Sequence, residues 1–425
     1  MLLEDRNVHY TSLNPRLVSH LHAVSIAACQ LLRILHSTPT DYLLIQNTIT
    51  FGSKQRSTST VHSSSLVDMS TSRKIQARCL CGNYQLSLTV PGVQLPLTGS
   101  MCHCDSCRHG SGTLYIGGAF LPETCIAAVQ DSLSSLQASE WSNRRTTYFC
   151  PTCGASIMEK LDGRFCIHTG ALDQLDGTVQ FERQIFVKDT QDGGFSHWLR
   201  DLPIKTHATL NDELPTGWPQ SNKQSVDRTS QRLHAHCLCN DVNFWISHPL
   251  ASSANPKDPK SDVRQHNPDR GEYETDNPWW LCEDFTKLFA EVCQCNSCRL
   301  SSGCDFVPWT YVPTTDISLA DGSMPFSLRD FGTLKKYRSS DEASRYFCGQ
   351  CGATVFYIRD ERHGIVNVAV GLLDADEGSL AQSWLWWRTD GLDFKEDGVS
   401  RAATLVNHVE GALQKWGKAG SATRS

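Results

Sequence analysis

Apolar and polar residues alternate at Tyr84, Leu86, Leu88 and Val90, and again at Val242, Phe244 and Ile246. This period of two is the mark of a strand with one buried face. β-Branched and aromatic runs at 184–187 (QIFV), 354–358 (TVFYI) and 365–370 (IVNVAV) predict further strands. Helical spacing is scarce. Leu17, Leu21, Val24, Ala28, Leu31 and Leu35 recur behind Pro15 and predict one short amphipathic helix, and short helical pieces are expected near 285–291. The pattern therefore describes a mainly β protein.

The strands fall into two copies of one design. ARCLCGNYQLSL at 77–88 is answered by AHCLCNDVNFWI at 235–246, CHCDSCRHGSG at 102–112 by CQCNSCRLSSG at 293–303, and YFCPTCGAS at 148–156 by YFCGQCGAT at 346–354. FCIHTGALDQLDG at 165–177 is answered by VNVAVGLLDADEG at 366–378. Each copy has the length of a small domain. The reading is an N-terminal extension over 1–72, with a Ser/Thr-rich linker at 51–72, a first domain at 73–202 and a polar, turn-rich linker at 203–232. A second domain follows at 233–400, with a Pro-, Asp- and Asn-rich loop insertion at 252–278, and then a C-terminal tail at 401–425.

Composition narrows the function. Of 425 residues, 40% are apolar and 20% charged, as in ordinary globular chains. The net charge of -6 offers nucleic acid no general attraction, so neither nucleic acid nor a membrane is an expected partner. No apolar run is long enough to span a bilayer. Glu4 and Asp5 precede any apolar stretch, which argues against N-terminal targeting.

Cysteine carries the candidate chemistry. Fourteen of the 19 cysteines form two series of C-x-C, C-x-C-x-x-C and C-x-x-C-G. The first is Cys79, Cys81, Cys102, Cys104, Cys107, Cys150 and Cys153; the second is Cys237, Cys239, Cys293, Cys295, Cys298, Cys348 and Cys351. Thiols two or three residues apart in a turn aim at a common point, as tetrahedral zinc requires, whereas a cystine between such neighbours is strained. A thioredoxin-like redox pair would need a βαβ context that is missing. Exposed thiolate clusters also favour a reducing compartment, the cytoplasm or nucleus. A closed structural zinc takes four ligands and a catalytic zinc takes three, so seven per copy divides naturally. Spacing alone does not group them. Joining each C-x-C to the distant C-x-x-C would clip two parts of a sheet and leave C-x-C-x-x-C with three ligands; the alternative is a fourth ligand from Cys125, Cys166 or Cys304.

The C-x-C-G, C-H-C-x-x-C-R and F-C-P-x-C-G motifs, followed by T-G-x-L-D, resemble the glutathione-dependent formaldehyde-activating enzyme family, which includes centromere protein V. The resemblance covers about 73–200 and 233–398. It implies two tandem zinc-binding β domains similar to the zinc-binding guanine-nucleotide exchange-factor-like fold. It also implies up to two Zn2+ per domain: a structural ion on Cys79, Cys81, Cys150 and Cys153, and on Cys237, Cys239, Cys348 and Cys351, and a catalytic one on each central triplet. The activity implied is carbon–sulfur lyase chemistry, in which glutathione as co-substrate adds to formaldehyde or another small aldehyde. The rival is a non-catalytic zinc scaffold that binds protein. Copy one is closer to the family pattern, since Gln294, Asn240 and Gly349 replace His103, Gly82 and Pro151 in copy two.

Other residues carry two readings each. Arg108 and Arg299, next to the triplets, could meet a glutathione carboxylate or be locally paired. His103 could act as an acid or base, but its side chain should alternate away from its cysteine neighbours. Asp173 and Asp374 read as turn residues more than as bases, and Trp384, Trp386 and Trp387 as packing.

Overall fold

The computed structural model describes residues 71–215, 218, 232–254, 266–267, 271–272, 278–319, 324–328 and 331–422. The chain divides into Met1–Ser65 and Leu66–Ser425, and every described residue belongs to the second unit. The helix expected at 17–35, nearly all of the linker at 51–72 and most of the insertion at 252–278 lie outside the described residues.

Sheet dominates, as the alternation predicts. In the first module Leu97–Cys102 lies between Ile116–Phe120 (antiparallel) and Val179–Ile185 (parallel), and the sheet continues through Arg164–His168, Ser156–Leu161, Arg145–Phe149 and Gln137–Ser142. The second module repeats the plan. Lys287–Cys293 lies between Val307–Pro313 (antiparallel) and Leu385–Trp387 (parallel), and the sheet continues through Ile365–Ala369, Thr354–Arg359, Ala343–Cys348 and Leu334–Ser340. Helical pieces expected near 285–291 are instead the strand Lys287–Cys293: KLFAEVC is buried on both faces, so its continuous apolar character concealed a strand period. Each module adds a hairpin that carries its C-x-C: Arg73–Arg78 with Gln85–Val90, and Arg232–His236 with Asn243–Ser247.

Among the described residues four α-helices accompany the sheets: α1 (Asp105–Ser111), α2 (Ile126–Ser132), α3 (Asn296–Ser302) and α4 (Lys395–Ala422), the last kinked at Ala402. The segment read as a tail from residue 401 is thus mostly helix. Ala402, Val406, Val409 and Leu413 bury one face of it, and their three- and four-residue spacing is helical. The stretch read as a linker begins as sheet, since Lys205–Thr206 pairs with Val179–Ile185.

The two modules grip each other reciprocally. α1 ends at Gly112, whose carbonyl accepts from Gly371 N of the second module at 3.0 Å; α3 ends at Gly303, whose carbonyl accepts from Gly170 N of the first at 3.0 Å. Gly112 and Gly303 have φ of +78° and +75°, and a Cβ there would stand 2.2 Å from Thr354 O and 2.3 Å from Ser156 O. Only glycine allows both the left-handed helix end and so close a crossing. Aromatic packing reinforces the seam. Phe195 and Trp198, both fully buried, meet Phe306 and Trp387 of the second module at centroid distances of 5.2 and 5.4 Å. Each such ring contributes roughly 2 to 3 kcal/mol of burial. Of the three tryptophans near 384–387, Trp384 and Trp387 are core, and Trp386, 36% exposed, stacks on Phe289.

Candidate metal centres and thiol site

The hairpins deliver each C-x-C to the knuckle that carries C-x-x-C-G. In the first module the Cys81 sulfur is 3.4 Å from that of Cys79 and 3.6 Å from that of Cys150; in the second, Cys239 is 3.5 Å from both Cys237 and Cys348. A zinc–sulfur tetrahedron with 2.3 Å bonds has edges of about 3.8 Å, so both foursomes fit the ion. Backbone amides brace the sulfurs: Tyr84 N and Val242 N donate to Cys79 and Cys237 at 3.2 and 3.4 Å, the outer-shell support that orients metal ligands.

The triplets form separate groups: Cys102, Cys104 and Cys107 at the start of α1, and Cys293, Cys295 and Cys298 at the start of α3. No fourth Cys, His, Asp or Glu joins either group among the described residues. The alternative fourth ligands lie elsewhere: Cys304 Sγ faces Tyr115 O at 3.2 Å, Cys166 packs by Gly118, and Cys125 is buried beside Thr89. Sulfurs this close cannot all remain charged without a cation. Neighbouring sulfurs push Cys102 and Cys293 well above the ordinary thiol range, while hydrogen bonds from Cys102 and Cys107 pull Cys104 down to about 3. The donor set suits a thiophilic ion.

Arginines that sequence reasoning missed cap both triplets. Arg145 donates to Cys107 Sγ at 3.3 Å and pairs with Glu159; Arg345 donates to Cys298 Sγ at 3.4 Å. By strand register they are not equivalent: Arg145 corresponds to Ala343, and Arg345 to Thr147. Each module thus brings a cation to the same sulfur from a different position.

The surroundings of the triplets also differ. A cavity of about 250 Å³ borders Cys293, Cys295 and Cys298, with Glu291, Tyr311 and Arg345 among its walls. Glu291 is 1% exposed and accepts a very short hydrogen bond from Tyr311. It stands two residues before Cys293 in a strand, so period two aims both to one side, a signal legible in the sequence. Ser339 also lines this cavity, whereas the register puts Trp141 at its position in the first module. The Trp141 ring abuts Gly110 of α1, and the Arg145 guanidinium stacks on it at 4.0 Å. Trp141 therefore packs on α1 and on the arginine that donates to the first triplet, where the second module has serine.

The residues flanking the triplets face inward. Burial lowers the His103 imidazole to about 4, so it is neutral, and it packs on Tyr115. Gln294 Nε2 donates to Asp305 O at 2.9 Å. Arg108 is 5% exposed and reaches Leu373 O of the second module at 3.5 Å; Arg299, 3% exposed, donates to Gly170 O and Leu172 O of the first at 2.6 and 2.9 Å. Both guanidiniums are engaged across the seam. Asp173 and Asp374 lie on that seam too, Asp173 paired with Arg78 at 2.9 Å.

Tandem β modules with two thiolate clusters apiece define a class of cysteine-rich, zinc-type β proteins. A family model described as glutathione-dependent formaldehyde-activating enzyme matches residues 74–189 and 282–389, just over half of the chain. The chain belongs to that family, in which formaldehyde activation depends on glutathione. The second match begins beyond the insertion, so Cys237 and Cys239 fall outside it, yet the fold brings them to Cys348 and Cys351. Comparison with curated proteins gives no match. No helix among the described residues is long and apolar enough to cross a membrane.

Proposed function

We propose that the chain is a carbon–sulfur lyase-type enzyme that reversibly adds glutathione to formaldehyde, and that the second module carries the reaction. The observation that supports this reading is the 250 Å³ cavity against Cys293, Cys295 and Cys298. In the reaction the thiol loses its proton, its sulfur attacks the carbonyl carbon to form the C–S bond, and the carbonyl oxygen gains a proton, giving S-hydroxymethylglutathione. Zinc on the triplet would lower the pKa of an incoming thiol; beside three thiolates it is a weak Lewis acid, which favours activating sulfur over polarising the carbonyl. Glu291, held by Tyr311, is the group suited to accept the thiol proton, and Arg345 offsets the negative charge of the thiolates. The aldehyde and thiol are then joined by proximity within the cavity.

The first module serves as a zinc-stabilised partner. Ser100 and Phe120 stand where the second module has Glu291 and Tyr311, and Trp141 packs on the helix that carries its triplet. This is the scaffold reading applied to one half of the chain.

The test is magnetisation exchange between formaldehyde and S-hydroxymethylglutathione in the presence of the purified chain. Wild type should exceed the spontaneous rate, Cys295→Ser should abolish the excess and Cys104→Ser should keep most of it. Glu291→Gln should lower kcat about 100-fold with little change in KM. A wild-type rate equal to background, or loss on Cys104→Ser with Cys295→Ser active, would overturn the proposal.

A further inference from the structure

Apart from the cysteine clusters, one group of ligand-type side chains converges among the described residues. His109, His236 and Asp374 each offer a donor atom, all within 4.8 Å of one another. They come from three places: the last turn of α1 in the first module, the residue before Cys237, and the short strand Leu373–Asp374 that follows Gly371 in the second. Asp374 presents Oδ1 at 3.0 Å from His109 Nε2, and Oδ2 at 2.8 Å from His236 Nε2 and 3.3 Å from His234 Nδ1.

The other ring nitrogens fix what those Nε2 atoms are. His109 Nδ1 lies 2.8 Å from His236 O, and His236 Nδ1 lies 2.9 Å from Cys237 O. A carbonyl only accepts, so each Nδ1 carries the hydrogen. In a neutral imidazole each Nε2 then aims a lone pair at carboxylate oxygens that are acceptors as well. A cation among them resolves the conflict, and an Nδ1–H bond to a backbone carbonyl is how metal-ligating histidines are commonly held. The two rings stack at 4.1 Å, nearly parallel at 8°, beside one carboxylate.

The opposite side of the seam acts as an internal control. The positions equivalent to His109, His236 and Asp374 are Leu300, Arg78 and Asp173; there Leu300 is buried and Arg78 pairs with Asp173 at 2.9 Å. An ion pair is enough to close that turn, so packing of the fold does not demand two histidines at this one. A cavity of about 340 Å³ opens on His109, His236 and Asp374; Asp189 and Asp376 also line it, as does Asp105, which Arg108 pairs at 2.8 Å.

We propose that His109, His236 and Asp374 form a further metal site, distinct from the cysteine centres, which binds a divalent transition ion of the zinc kind. Two imidazoles and a carboxylate suit such an ion. They leave coordination positions directed at the cavity and clip α1 of the first module to the second.

Untagged full-length chain, with its cysteine centres loaded with zinc and excess metal removed, is titrated with Co2+ and followed by visible absorption and elemental analysis. Wild type should take up one equivalent of cobalt without the intense thiolate-to-cobalt band, and His109→Leu and His236→Arg should each lose that equivalent while keeping their zinc. These variants install the residues used on the opposite side of the seam; Asp374→Asn is the replacement if either fails to fold. Wild type with no cobalt beyond the thiolate centres, or variants that bind as much as wild type, would overturn the site. Neither result bears on glutathione turnover, which is measured separately.

Discussion

Replacing Arg299 with Met separates a seam role from a substrate role. Arg299 donates to two backbone carbonyls of the first module, at 2.6 and 2.9 Å, and to Asn296 Oδ1 at 2.7 Å. A hydrogen bond from a charged donor is worth about 1.5 to 3 kcal/mol, so the two carbonyl bonds together represent about 3 to 6 kcal/mol. Burial opposes them: it lowers the Arg299 pKa to about 10, with Arg401 nearby adding to the effect. Methionine escapes that cost, leaving a net loss of about 3 kcal/mol. Arg108 makes a single longer carbonyl bond, at 3.5 Å, and Arg108→Met should cost about 1 kcal/mol. Equilibrium denaturation by urea, at fixed zinc and followed by tryptophan fluorescence, measures both. The KM for glutathione should stay within about twofold of wild type, or less than 0.5 kcal/mol. Unchanged stability in Arg299→Met with a raised KM would refute the assignment and return the residue to the substrate carboxylate.

Two further outcomes follow from the geometry. His197, whose ring nitrogen meets Asp192 O at 2.6 Å, is lowered to about 4 by burial and by Arg200. Between pH 6.5 and 4 the unfolded chain therefore binds the extra proton, so stability falls as pH drops through that window. Its share from pH 7 to pH 5 is about 2 kcal/mol, and His197→Gln should lose that much less than wild type in paired denaturation curves; equal losses would contradict the assignment. Trp141→Ser gives the first triplet the residue of the second, and should raise the alkylation rate of Cys107 severalfold by peptide mass spectrometry without changing that of Cys298. An unaltered Cys107 rate would show that the ring does not shield this thiol.

Much of the site was legible because its information is local. C-x-C and C-x-x-C-G place sulfurs by backbone geometry over a few residues, and duplication reveals which groups correspond. Alternation at Tyr84 to Val90 likewise marks the Gln85–Val90 strand, because one face is buried. Lys287–Cys293 hid its period because both faces are covered, and the final helix was missed because its apolar face has meaning only against a partner.

The sequence by itself determined that this is a duplicated, cysteine-liganded β protein of the formaldehyde-activating family. Tertiary structure alone decided how the two halves differ. Arg145 and Arg345 reach the same sulfur from different register positions, Trp141 packs on α1 and Arg145 where Ser339 lines the cavity of the other triplet, and His109 meets His236 and Asp374 from another module. Each of these contacts joins residues distant in the chain, and depends on which side chains fill the space between sheets. Spacing along a strand fixes which way a residue points, but only packing fixes what it meets.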